Sequence, residues 1–488
     1  MVAFKEKLKD TSLFRTLYII DLFFCNVSFL QIPAYIFLVP LFLWGVRLVI
    51  LNQRRYNTFF KLRFGLWIGA FLVVSLVTIL FNYSITLFYS LLMLLHVLIC
   101  FFVFYGAHTE PDFDFRKELY FIAKLIVYIT TIANIFGMFC LMFGISFSWE
   151  WVKFPIYENR FTGVFVNPNL LGFCSVVAIF CCHMLSKCSF LSNINKPSIN
   201  RVWLAICIIT NVFSLVLCDS NASFVLMIGY AIVYITYIFF AEKPGLTASK
   251  VVLKIVSLIL IACFIIGSSL MFRSIFKAGF SVVTSKTNAM IDILFDDGEI
   301  ISEKENNSAK QETSKAVTFD HQNKNIDSGR FKLWKESIDL FKISPIIGIS
   351  NGNIIFYSGE YLNGTLKFSY HNSDLHNGFL TILVSTGIIG FSLFGVFGFR
   401  FAKHAAQHLF LRRDKIFRND VYPCLFSFLF AYLFYSLFEK ALLYDISFMV
   451  MWFWLMMGYT SCYIAGFEPM LETQYLFHRD RLTRTLLW

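Results

Sequence analysis

The sequence predicts an all-α, polytopic integral membrane protein of about twelve transmembrane helices, with one large external loop between helices nine and ten. Three observations carry that expectation. Hydrophobic residues fill 57% of the 488 positions and charged residues only 15%, far from the balance of a soluble domain. Apolar runs of about 18 or more residues recur along the chain, each long enough to cross a hydrocarbon core of roughly 30 Å as a helix that satisfies its own backbone. Lys and Arg gather in short blocks between those runs, where orientation signals lie. The net charge of +11 therefore reports topology, and no nucleic-acid partner is expected. All twelve cysteines fall in or beside apolar runs, so neither a disulfide framework nor a CxxC metal spacing is visible.

Taken in order, Lys5, Lys7, Lys9 and Arg15 precede the first apolar run, and Arg54, Arg55, Lys61 and Arg63 follow it. A single helix through 16–51 would put these blocks on opposite sides, so the positive-inside tendency splits it into a hairpin turning near Gln31-Ile-Pro33. The run is too long for a signal-peptide core and lacks a small-residue cleavage site, so it reads as retained. Residues 64–81 go out, 86–105 return to an inner loop with Arg116 and Lys117, and 119–145 go out again. The external loop 146–160 holds Trp149, Trp151 and Tyr157, which suit a membrane interface. Asn167, Pro168 and Asn169 interrupt the start of the sixth helix, as broken helix starts do where they face a protein-lined cavity. Residues 202–218 and 222–241 flank a tight external turn at Asp219-Ser220-Asn221, and 251–272 reaches the outside once more.

Three segments follow from this pattern. Residues 1–272 hold helices one to nine. Residues 273–376 form the external loop, with an interfacial amphipathic piece at 273–297, a flexible insertion at 298–327 that is poor in large apolar groups, and a short amphipathic helix at 330–343. Phe331, Trp334, Ile338 and Phe341 recur there at helical spacing, and Pro345 with Gly348 ends the helix. Residues 377–488 carry helices ten to twelve and a cytoplasmic tail. The most basic loop, with Arg400, Arg412, Arg413 and Arg418, is internal, and Glu439-Lys440 and Asp445 occupy the outer turn of the last hairpin. Both termini are then cytoplasmic and the long loop faces outward.

Chemistry concentrates at His371-Asn-Ser-Asp-Leu-His-Asn-Gly378, where a polar loop runs into the apolar segment 379–399. Groups that titrate near neutrality are costly at a bilayer boundary unless they are used. The predicted topology puts Arg160, Arg330, His371 and His376 on the same external side. Arginine offers a planar fork for phosphate oxygens, and a histidine can take a proton from a hydroxyl, so the set suits a phosphate-linked donor.

Three stretches then resemble one family. His376-Asn377, followed after nine residues by Gly387-Ile-Ile-Gly390, is similar to the His-Asn and Gly-x-x-Gly signature of the O-antigen ligase and polymerase family of bacterial envelope glycosyltransferases. Arg160-Phe-Thr-Gly163 through Asn167-Pro-Asn169, and Ser328-Gly-Arg330 through Trp334 to Pro345 and Gly348, follow that family in order and placement. The resemblance covers most of residues 60–465.

It implies a multi-pass enzyme of the bacterial cytoplasmic (inner) membrane, active on its external face, that passes a polyprenyl diphosphate-linked glycan to a sugar hydroxyl with inversion. Neither metal nor cofactor is expected, and the partner classes are the glycan donor and acceptor, the lipid bilayer and a chain-length regulator or flippase. Residue by residue, His376 matches the general base and Arg330 the residue that holds the diphosphate. Arg160 matches a donor- or glycan-binding position, with Asn377, His371 and Asn169 as further substrate-binding candidates. Ligases of the family usually carry a Ser-Arg pair at the turn between helices seven and eight. Here that turn reads Ser220-Asn221, which favours a polymerase of repeat units over a ligase.

Plainer readings stand beside these. Read alone, Arg330 fits an interfacial arginine whose stem lies on the membrane, Asp374 a helix cap, and Asn167-Pro-Asn169 a hinge. His371, Asp374 and His376 at i, i+3 and i+5 do not share one helix face, which weighs against a metal site. A transporter of lipid-linked glycan would also need an arginine-lined external cavity, but it would carry ionisable residues near mid-membrane.

Overall fold

The computed structural model describes residues 7–83, 86–111, 113–149, 152–188, 199–240, 248–295, 329–362, 375–411 and 420–466. The chain opens with a hairpin of α1 (Thr11–Phe24) and α2 (Gln31–Tyr56), as the charge blocks predict. Asp10 starts α1 by accepting the Leu13 N–H at 2.9 Å. The turn between them is tied to a distant segment, with Ser28 N donating to Val164 O and Val166 N to Asn26 O, both at 2.9 Å.

Next come α3 (Gly65–Phe81), α4 (Leu87–Thr109) and α5 (Phe115–Met142). The aromatic loop that follows is not irregular. It folds into two small antiparallel hairpins, β1 (Phe147–Trp149) with β2 (Val152–Phe154), and β3 (Ile156–Tyr157) with β4 (Arg160–Phe161). The second closes through Glu158 and Asn159, both in the left-handed region that two-residue hairpin turns require.

Then come α6 (Pro168–Cys188), α7 (Arg201–Leu217), α8 (Asn221–Phe240) and α9 (Ala248–Phe295). The last of these runs unbroken through residue 272, where the sequence suggested a membrane exit, because no proline interrupts its 48 residues. The insertion at 298–327 lies outside the described residues. From Gly329 the chain forms α10 (Arg330–Ile343) and α11 (Ile354–Tyr361), then α12 (Gly378–Leu411), α13 (Tyr422–Tyr435) and α14 (Phe448–Ala465).

Helices α1–α9 and α12–α14 correspond to the apolar runs of the sequence, and the protein is an all-α polytopic membrane protein. Eight described helices are long and apolar enough to cross a membrane; α3, α7 and α13 are shorter apolar helices. Burial separates centre from periphery. Nearly all of α14 is buried, whereas α9 between residues 252 and 283 holds only exposed and half-buried side chains. Trp452 and Trp454 of α14 are fully buried, Trp454 among Phe101, Phe397 and Phe453 and Trp452 beside Phe448. Thus α14 is the post around which the other helices pack, and α9 is an outer element held along one face.

Candidate functional site

Helix α12 is not a simple span. Gly387 has φ +64° inside it, and this break receives the chain that leaves α10. Ile388 N donates to Pro345 O at 2.9 Å, while Ile349 N and Ser350 N donate to Val384 O and Ser385 O at 3.0 Å. Gly348, with φ +77°, lies against Gly387 so closely that a Cβ on either would strike the other's backbone. Two sequence motifs distant along the chain are therefore one docking joint, and this joint fixes α10 over the start of α12.

At that start, Asn377 caps the helix. Its Oδ1 accepts the Phe379 and Leu380 N–H groups at 2.9 Å, and Gly378 N donates to Ser436 O at 2.7 Å. His376 precedes the cap with φ +45°, a left-handed conformation that costs a histidine about 1–3 kcal/mol and persists only where the surroundings impose it. Its side chain is about one-third exposed, and its Nδ1 lies 3.5 Å from Glu439 Oε2. Glu439 is nearly buried and also accepts Arg330 Nη2 at 2.7 Å through Oε1. One carboxylate thus joins the loop arginine to the histidine. Trp334 of α10 closes the group, its Nε1 facing the His376 carbonyl at 3.5 Å and its ring packing near Phe438.

A second cationic group lies at the turn between α7 and α8. Arg160, at the end of the second hairpin, donates from Nε to Cys218 O and from Nη2 to Asn169 Oδ1, both at 2.8 Å. Burial lowers Arg160 from its ordinary value, and the charges acting on it include those of Glu158, Arg330 and Glu439, which relates it to the first group. Asp219, at φ +54°, turns its buried carboxylate to Arg273 and Lys277 of α9. Arg273 also donates to Asn221 Oδ1 at 2.9 Å. Gly172 of α6 lies against Cys218, Ser220 and Ser223, so a side chain there would push α6 off the turn. The ring of Phe173 stacks on Tyr435 at 5.3 Å, packing the start of α6 against the end of α13, from which the chain enters the Glu439 turn.

Of the residues singled out in the sequence, Arg330 and His376 share one carboxylate. Arg160 and Asn169 bond to each other at the neighbouring turn, and Asn377 is the cap of α12. His371 and Asp374 lie outside the described residues. Among the described residues, no three His, Cys, Asp or Glu side chains are grouped as metal ligands. Two residues that join these groups stand out little in the sequence. Glu439 was visible only as an acid in the last outer turn, and Arg273 only as the first charge after a long apolar run.

Fold and site together define a polytopic membrane protein with a polar, arginine-lined site that includes His376, at one end of its helix bundle. Residues 205–395 match the family model described as O-Antigen ligase, a stretch that runs from α7 into α12 and takes in Asp219, Arg273, Arg330, His376 and the Gly387-Ile-Ile-Gly390 joint. The match supports the O-antigen ligase/polymerase family, and with it a membrane protein that processes lipid-linked glycan. No curated protein matches the chain.

Proposed function

We propose that this protein is a membrane glycosyltransferase that joins polyprenyl diphosphate-linked repeat units into a surface polysaccharide at the external face of the inner membrane. The observation that carries this is the Arg330–Glu439–His376 constellation beside a second group of cations. His376 Nε2 takes the proton of the acceptor hydroxyl. Glu439, whose Oε2 lies 3.5 Å from Nδ1, balances the imidazolium that forms. The hydroxyl oxygen bonds to the anomeric carbon as the bond from that carbon to the diphosphate oxygen breaks, on the opposite face of the sugar. The electron pair leaves with the diphosphate, whose charge Arg330 and Arg160 stabilise.

An apolar cavity of about 350 Å³ supports a polyisoprenyl donor. It begins at Phe379, close after His376 along α12, and continues past Phe394 and Gly398 toward Ala405, with Phe430, Leu433 and Leu442 opposite. Such a lining suits a hydrocarbon chain whose head group lies at the site.

The Ser220-Asn221 turn, without the Ser-Arg pair of ligases, favours a second repeat unit as acceptor. Transfer of finished glycan to a lipid or cell-wall acceptor is the second reading, favoured by Arg273, which brings a guanidinium to that same turn.

Cells lacking the native protein and complemented with wild type, His376→Ala or Arg330→Ala test this through glycan length on a gel. A ladder with wild type that collapses to single repeat units on carrier lipid with either variant is the expected result. Long chains that stay on the carrier lipid would identify a ligase. An unchanged ladder with both variants expressed would overturn the assignment.

A further inference from the structure

We propose that Arg273, seated by Asp219 and Asn221 and flanked by Lys277, is a phosphate-binding residue that takes one charge of the donor diphosphate, a role that rests on the site being one for polyprenyl diphosphate-linked glycan.

Its height in the bundle comes first. The apolar span of α9 begins at Val252. At 1.5 Å per residue Arg273 stands roughly 30 Å further along, one hydrocarbon thickness from that start. This is also the level of the α7–α8 turn it contacts.

Its direction comes next. Arg273, Phe276, Lys277 and Phe280 recur at helical spacing on one face of an otherwise exposed helix. The Phe276 ring stacks on Phe213 of α7 at 4.4 Å. A long cationic side chain at a membrane boundary can extend outward along the helix to water. Here both cations turn inward, and the guanidinium lies over the Phe224 ring at 4.7 Å.

The charge balance then points to an anion. Arg160, Arg273 and Lys277 converge on the turn, where Asp219 is the carboxylate bonded to both α9 cations. Arg160 ends on two neutral oxygens, those of Cys218 and Asn169. Among the described residues the turn thus brings three cations to one directly bonded carboxylate, with Glu158 and Glu439 acting on Arg160 from further off, and a diphosphate would compensate these cations in their largely buried setting. A guanidinium presents five N–H donors in a fixed fork, and the bonds to Asp219 and Asn221 orient it while leaving capacity for phosphate oxygens. The guanidinium absent from positions 220–221 is thus supplied from another helix.

The test is titration of the full-length protein in detergent with polyprenyl diphosphate and, separately, polyprenyl monophosphate, for wild type, Arg273→Ala and Arg273→Lys. Wild type should prefer the diphosphate. Arg273→Ala should lose about tenfold in affinity for the diphosphate and far less for the monophosphate, the size expected for one charge-assisted hydrogen-bonded contact. A merely structural ion pair would weaken both lipids alike or neither, and either result overturns the role. Lysine can keep the pairing with Asp219 but not the fork. If Arg273→Ala does not fold, a reduced diphosphate preference in Arg273→Lys supports the role and an undiminished one overturns it. Should His376→Ala abolish glycan transfer while Arg273→Ala keeps the full diphosphate preference, only the part assigned to Arg273 falls. Should wild type show no diphosphate preference, with glycan transfer intact in both His376→Ala and Arg330→Ala, the site itself is misread and Arg273 falls with it.

Discussion

Two arginine–carboxylate groups lie far apart in this protein, and they are built in opposite ways. Arg15 of α1 is fully buried, and all three of its nitrogens donate. Nε and Nη2 reach Glu118 at 2.8 and 3.0 Å, while Nη1 reaches Glu110 at 2.6 Å and Val103 O at 3.0 Å. Tyr459 adds a bond to Glu118 at 2.8 Å, and the Phe113 ring lies 4.4 Å from the guanidinium carbon. Arg330 has one short bond to a carboxylate that is shared with a histidine about one-third exposed. The first group is saturated and enclosed, so it locks α1, α4, α5 and α14 together. The second holds donors at the edge of the bundle, on a loop helix and a turn, where a charged ligand can compete for them.

The largest expected effect separates them by kind. His376→Ala should lower glycan transfer by about 10²–10⁴-fold, the range for a positioned general base, with thermal unfolding in detergent little changed. A loss that tracks unfolding would erase the distinction. Arg15→Leu should do the reverse. Removing one partner from a buried ion network costs about 3–5 kcal/mol, so folded protein should drop sharply while the fraction that folds keeps its turnover. Normal stability in Arg15→Leu would show that the network is not the lock it resembles.

A finer contrast uses the two glutamates. Glu439→Gln keeps shape but removes the charge beside His376 and Arg330. It should reduce kcat by about 10–100-fold, the equivalent of one charge-assisted hydrogen bond, and change the unfolding temperature little. Glu118→Gln, at the other group, should lower the unfolding temperature and leave kcat alone. Equal kcat losses in both would mean that transfer depends on the overall packing of the bundle.

The sequence exposes one side of this comparison better than the other. Apolar run length marks the helices, because a chain in lipid must satisfy its own backbone and cannot hide a crossing. The helix at Arg330–Ile343 is legible from its period, and the α1–α2 hairpin from the charge blocks around it. Pairings across the bundle leave no such mark. Glu439 meets Arg330 across 109 residues and Asp219 meets Arg273 across 54, distances at which neither spacing nor composition links them. Arg15 reads in sequence as an orientation charge at a membrane boundary; only the fold shows Glu110 and Glu118 closing on it from 95 and 103 residues away. The Gly387-Ile-Ile-Gly390 signature is visible in the chain, but its reason, a helix break that receives Gly348, belongs to the docked loop.

The smallest expected effect concerns Asn377, a candidate substrate ligand in the sequence whose Oδ1 is occupied by the two N–H groups it caps. A cap contributes about 1 kcal/mol, and serine can replace asparagine in that task. If the residue serves only to start α12 and so fix the backbone of His376, Asn377→Ser should keep both stability and donor KM, while Asn377→Ala should lose about 1 kcal/mol and lower kcat modestly as His376 loosens. A raised donor KM in the stable serine variant would instead mean that the side-chain amide reaches substrate. That outcome would move Asn377 from the saturated kind of polar group, which Arg15 exemplifies, to the ligand-facing kind represented by Arg330.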